Sequence, residues 1–469
     1  MQRLAALSLA SLTLLAACGK SDNACDPAAQ TGCANGQACE LLESGGPACF
    51  DPVVLRGRVS DLATDGAVAG ARVVALDANR APVSAVATSA LDGTYALNVA
   101  SQRKADGTPS GAVTLRADAR AYQSFPAGVR FALPIDLSTA TRSTGAWNIH
   151  TALTDVGLIA LPAGSGTGSI TGAVATPADH SGVLVVAESA SSTASAIADR
   201  SGAIAIFNLA PDTYTVKAYA RGENYAPATV TLAAGQDAPV ALAISGAATA
   251  TVSGSVQIVN PGQGSATSVI LVVESTFDPV LVRGDAPPGL RAPDPSLGPT
   301  VSGAFSISGV PDGNYVALAA FENDFLVRDP DLCISGTQIA HLTVQDGAPV
   351  GTAPSFKVTG SLDVMAPGAN GPEQVSTATP TFSWKDDSSE DSYGVTVFDS
   401  FGNVVWQVTI PGVSGADPQL AYGQTAGVTT TLPAQALVPG MYYQFRATSK
   451  KQGCALSQSE DLKGVFFLP

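Results

Sequence analysis

Histidines, cysteines and two runs of carboxylates are the groups in this 469-residue chain that have the means for chemistry. The three histidines, His150, His180 and His341, stand far apart, and Leu153, Val183 and Val344 occupy the third position after each. None therefore opens a metal-binding pair. No Gly-x-Ser-x-Gly elbow exposes a nucleophilic serine. Asp386, Asp387, Glu390 and Asp391 form one acidic cluster; Glu322, Asp324, Asp329 and Asp331 form another. Calcium wants about six to eight oxygens in one shell, and neither cluster has the spacing of a calcium loop, so both read as solvated loops. Arg283-Gly284-Asp285 spells a tripeptide that integrins read, but a three-residue match carries little weight. Trp147, Phe398, Phe401 and Trp406 are the candidates for a sugar-stacking platform, although Trp406 alternates with Val404 and Val408 in the manner of a core residue. The sequence thus predicts no catalytic residue, no metal site, no cofactor and no enzyme.

The cysteines have a different fate. Cys25, Cys33, Cys39 and Cys49 are separated by seven, five and nine residues. Zinc ligands come as closer pairs, so disulfides are the better reading. This segment is too short and too polar to bury a core, and two bridges would hold it. Three pairings are possible. Cys333 and Cys454 are the remaining candidates for a bridge, one that would join two otherwise mobile domains. Such bridges persist in oxidising compartments.

The N-terminus agrees with export. Arg3 is followed by the uncharged apolar run from Leu4 to Ala17, which falls short of the roughly 20 residues needed to span a bilayer. It ends in Leu15-Ala16-Ala17-Cys18. This resembles the lipobox of bacterial lipoproteins, in which small residues seat the peptidase and the cysteine thiol becomes a thioether to diacylglycerol. The resemblance implies that Cys18 is lipidated. Gly19 in place of Asp implies an outer-membrane address, on the periplasmic face or the cell surface.

The elements behind these groups are strands. Apolar residues make up 45% of the chain and charged residues only 13%, which suits short strands and turns better than charged helices. The net charge is −15, and no basic stripe is present, which argues against a nucleic-acid partner. Three segments repeat one pattern. Each opens with Gly57-Arg58-Val59, Gly172-Ala173-Val174 or Gly254-Ser255-Val256. Each continues with an aliphatic strand: Val73 to Leu76, Val185 to Ala187, or Val272-Val273. A turn glycine then leads into an alternating strand at Tyr95, Ile204 or Phe305. In the second and third copies Tyr214 and Tyr315 follow an Asp turn. This resembles the carboxypeptidase regulatory-like domain, a transthyretin-like β-sandwich that is an accessory module. The peptidase's own His-x-x-Glu zinc pair is absent. Pilin sandwiches that cross-link a first-strand Lys would have Lys where Arg58, Ala173 and Ser255 stand.

The last hundred residues differ. Pro380-Thr381-Phe382-Ser383-Trp384 reads as a core strand, and Leu437-Val438-Pro439-Gly440-Met441-Tyr442-Tyr443 resembles the corner of a fibronectin type III domain. That resemblance implies a corner hydroxyl, assigned to Tyr442. The expected fold is all-β, with tandem β-sandwiches. A signal peptide over 1–17 and a lipidated, disulfide-rich segment over 18–52 precede three regulatory-like sandwiches over 53–162, 168–245 and 250–360. A fibronectin type III-like sandwich follows over 361–469. The Gly/Ser stretches at 162–168 and 245–249 read as flexible spacers. The expected role is non-catalytic: a lipid-anchored envelope protein for spacing or protein contact, with polysaccharide binding as the alternative.

Overall fold

The computed structural model describes residues 25–27, 30–78, 80–175, 182–259, 268–279, 281, 283–293, 301, 303–320, 340–351, 355–359, 361–387 and 389–469. Strands dominate, and two short 3-10 turns are the only helical elements among these residues. The all-β sandwich expectation holds.

Strands with one wet face alternate in burial. Tyr95, Leu97 and Val99 of Thr94–Val99 point inward, as do Ala238, Val240 and Leu242 of Asp237–Leu242. In the first lobe Val53–Asp61 is central. It pairs antiparallel with Thr94–Val99 and parallel with Ala146–Ile149 and Val156–Ala160. The second lobe repeats this: Gly168–Val174 pairs antiparallel with Ala203–Leu209 and parallel with Asp237–Leu242. The third does so with Ala250–Val259, Ala304–Val310 and Ser355–Thr359. The opening glycine of the repeat has a steric cause. A Cβ on Gly57 would lie 2.0 Å from the Thr154 carbonyl oxygen, and one on Gly172 would lie 1.8 Å from that of Val240. Only glycine lets the returning chain pass so close to the first strand.

The aliphatic strands behave differently, and they set the architecture. Arg72–Leu76, Leu184–Glu188 and Ser268–Val273 are buried almost throughout. Continuous apolar runs of this kind mark strands covered on both faces. Val73 and Ala75 belong to the first lobe's own core. Val183, Val185 and Ala187 belong to that of the second. Their neighbours Val74, Leu76, Leu184 and Val186 join one cluster with the interior of the third lobe. Tyr219 enters the same cluster edge-on to Tyr315, 6.0 Å between ring centroids. Each such side chain contributes about 1.5–3 kcal/mol relative to exposure. The three sandwiches are therefore packed together through these sheets.

The linkers are correspondingly pinned, which corrects the flexible-spacer reading. Gly235 N donates to Gly166 O at 3.1 Å, and Asn224 Nδ2 donates to Ala248 O at 2.6 Å. The side chain of Asn224 also receives Asp312 N at 2.7 Å.

The C-terminal sandwich sets Val364–Ala366, Thr381–Trp384 and Gln419–Ala421 against a seven-stranded sheet built on Ser392–Asp399 and Tyr442–Lys451. Trp384 is fully buried, as expected, and Phe382 stacks on Phe445 at 4.5 Å. The corner hydroxyl belongs to Tyr443, not Tyr442: Val438 N donates to Tyr443 Oη at 2.8 Å. Strand parity explains the correction. Tyr443, Phe445 and Ala447 face the core, so Tyr442 faces away, stacks on Phe467 at 4.7 Å and packs against the first lobe. Tyr443→Phe is expected to cost about 0.5–1.5 kcal/mol in urea unfolding of this lobe. Tyr442→Phe should leave the corner intact, and equal losses in the two variants would contradict the assignment.

Candidate functional site

Near the N-terminus, Cys25 bonds to Cys39 and Cys33 to Cys49. These are two of the bridges the sequence allowed. They hold a hairpin of Ala38–Leu42 and Pro47–Phe50 whose inner strand pairs in parallel with Gln102–Arg103 of the first lobe. Glu40 and Arg103, both fully buried, form an ion pair beneath it. Ser101 N and Oγ complete the carboxylate's hydrogen bonds at 3.1 and 3.0 Å. Arg103 Nη2 donates to Asp51 O at 2.7 Å, and the guanidinium lies 5.0 Å from the Phe50 ring centroid. Cys25, Cys33 and Cys39 are the only metal-type ligands gathered in a group among the described residues, and disulfides use all three. Cys454 is disulfide-bonded. Cys18 and Cys333 lie outside the described residues.

The tripeptide Arg283-Gly284-Asp285 sits where three lobes meet, so its side chains are committed. Asp285 accepts from Ser195 Oγ of the second lobe at 2.5 Å. From the first lobe it receives Arg116 Nη1 at 3.4 Å and Arg80 Nη2 at 3.8 Å. Arg116 in turn donates to Asp118 at 2.9 Å and to the Ser195 carbonyl at 2.6 Å. A Cβ on Gly284 would lie 2.4 Å from Val272 Cγ1. Arg283 donates to the carbonyls of Arg130 and Gly128 and lies over the Phe131 ring. Sequence reasoning gave this network no role, because its members lie far apart in the chain, Arg116 and Asp285 by 169 positions.

The same loop of the first lobe receives the fourth. Arg446 lies 4.7 Å from the Phe131 centroid, and Phe398 meets Phe131 edge-on at 5.3 Å. Arg130 Nε and Nη2 donate to Phe401 O at 3.0 and 2.7 Å. Gly402 packs on the Phe131 backbone.

The aromatic platform is not assembled. Phe398 and Trp406 are buried, and Trp147 is half-buried against the first core. Phe401 lies in the contact just described. The polysaccharide alternative loses the residues that suggested it. The acidic cluster at 386–391 serves as turn anchors: Tyr393 Oη donates to Asp386 at 2.8 Å, Ser449 Oγ to Asp387 at 2.5 Å and Gln452 N to Asp391 at 2.6 Å. The second acidic cluster and His180 lie outside the described residues. His150 is exposed, and His341 pairs with Glu274 at 2.6 Å.

The repeat tyrosines carry a role that the sequence reading missed. Tyr214 Oη donates to Ala210 O at 2.9 Å and Tyr315 Oη to Pro311 O at 2.8 Å, each closing a turn four residues back. The shared spacing from the turn to the tyrosine was the available signal.

No family model and no curated protein matches the chain. Among solved structures, a streptococcal ancillary pilin aligns at 13% identity over 66% of this chain and 99% of its own, with a TM-score of 0.15. A DUF3823 family protein of Bacteroides uniformis aligns at 13% identity over 47% of this chain and 100% of its own, with a TM-score of 0.21. A minor pilin of Streptococcus agalactiae aligns at 13% identity over 43% and 99%, with a TM-score of 0.19. At these scores the likeness carries no functional argument.

Proposed function

We propose that this chain is an exported lipoprotein of the bacterial envelope. It is held at the outer membrane through Cys18 and presents regulatory-like and fibronectin type III-like sandwiches in a structural or protein-interaction role, without catalysis. One observation carries the reading: among the described residues, most of the groups with chemical potential are engaged in holding the body together. The paired cysteines, the Asp285 network and the Phe131 contacts all serve cohesion. Two bridges close to the N-terminus also favour an oxidising compartment. The docking of the lobes on one another favours a rigid body over a string of spacers.

The anchor is tested directly. Burying lipid chains contributes about 0.8 kcal/mol per methylene, and the several chains of a lipoprotein cysteine should give stable attachment. Cys18→Ser is expected to move the protein from the membrane to the soluble fraction. Retention in the membrane by the variant would defeat the proposal.

A further inference from the structure

The two N-terminal bridges are unequal. Cys25 and Cys39 are 5% and 1% exposed, whereas Cys33 is half-buried and Cys49 is open to solvent. They are also close neighbours: the sulfurs of Cys25, Cys33 and Cys39 all lie within 4.8 Å of one another. Cys39 and Cys49 stand opposite each other across the hairpin. The Gln30 amide clamps Cys39, accepting from its N at 3.1 Å and donating to its O at 2.8 Å. An external thiolate can reach the outer bridge and is kept from the inner one.

We propose that Cys33–Cys49 is a site of thiol–disulfide exchange with an external dithiol, and that Cys33 relays the exchange to the buried Cys25–Cys39 bridge. Exchange runs by thiolate attack on a disulfide sulfur, and its rate depends on access. A dithiol's first thiolate attacks Cys49 Sγ. The Cys33–Cys49 bond breaks, a mixed disulfide forms on Cys49, and Cys33 leaves as a thiolate. The dithiol's second sulfur then displaces Cys49 as a thiol and closes the oxidised dithiol, so two electrons pass to the chain. The Cys33 thiolate is now beside the inner bridge. Its attack on Cys39 Sγ forms Cys33–Cys39 and expels Cys25; attack on Cys25 Sγ forms Cys25–Cys33 and expels Cys39. Neither internal step changes the electron count. In the first product the chain before Cys33 loses its covalent tie to the hairpin.

The test is partial reduction of the folded full-length chain by limiting dithiothreitol, followed by an acid quench, alkylation and peptide mapping. Cys49 and one inner cysteine, Cys25 or Cys39, should be labelled together, with Cys33 found in a rearranged bridge to the other inner cysteine. In the Cys33→Ser/Cys49→Ser double variant the Cys25–Cys39 bridge should open about tenfold more slowly than in the parent, since the relay is gone. Equal opening rates would overturn the proposal. If the double variant does not fold, the parent alone decides: opening of both bridges with no Cys33-containing rearranged species in the quenched samples overturns it too.

Discussion

Asp285→Ala is expected to cost about 1–3 kcal/mol, because it removes from a buried junction the carboxylate that Arg116, Arg80 and Ser195 share, while Arg116 keeps Asp118. Arg116 has only 9% of its side chain exposed, and Arg80 is also largely covered. Ser195 Oγ loses its acceptor in the same step. The effect should extend beyond the third lobe, since Arg116 and Ser195 belong to the first and second. Urea unfolding followed by tryptic cleavage should show the first three lobes opening together at lower denaturant. A loss under about 1 kcal/mol would mean that the apolar junction of Val74, Leu76, Leu184 and Val186 holds the lobes without the ionic network.

The network also sets a pH response. Burial by itself would raise the Asp285 pKa. Arg116 first, then Arg80 and the Ser195 hydrogen bond, outweigh it and hold the carboxyl below its ordinary range. A carboxyl whose folded pKa is depressed stabilises fully above its unfolded value near ~4 and loses that contribution as pH falls through the folded value. The junction should therefore loosen in acid. Asp285→Asn should flatten that part of the stability profile while lowering stability at neutral pH.

Local periodicity carried much of the fold. The alternation of Tyr214, Val216 and Ala218 and the core position of Trp384 could be read because each depends on neighbours within one strand. The all-apolar strands carried a further message: Val73 to Leu76 needed cover on both faces, and only the tertiary structure shows that a neighbouring sandwich provides it. The corner tyrosine was decidable from sequence, because Phe445 fixes the strand's parity and Tyr443 shares it. Asp285 was not. Its side-chain partners come from two other lobes, and no local pattern marks a residue whose environment is assembled at such distance. The Gly/Ser linkers misled for the same reason. Their composition permits flexibility, but the hydrogen bonds to Gly166 and Ala248 come from outside the linkers.

Glu40→Ala is the second large effect, and it isolates how the N-terminal hairpin is joined to the first lobe. Arg103 is wholly buried, and its Nε points at Glu40. Its other contacts, the carbonyls of Gly107 and Asp51 and the Phe50 ring, are neutral. Removing the carboxylate leaves a permanently charged guanidinium with no anion, and the expected loss is about 3–5 kcal/mol. The disulfides cannot compensate, because both close within residues 25–49 and neither reaches the first lobe. What remains across the junction is the short parallel pairing of Leu41 and Leu42 with Gln102 and Arg103, the Glu43 N to Arg103 O bond and the contacts of Arg103 with Asp51 O and the Phe50 ring, continued by the covalent chain at Asp51. The hairpin should therefore undock while keeping its bridges. Hydrogen exchange should rise at Glu43, whose N donates to Arg103 O, and at Ser101 in Glu40→Ala, with the Cys25–Cys39 and Cys33–Cys49 peptides still linked in a non-reducing map. Unchanged protection at those amides would show that strand pairing alone docks the hairpin. In Glu40→Ala/Arg103→Met, where both charges are removed and the stem volume is kept, much of the loss should be recovered.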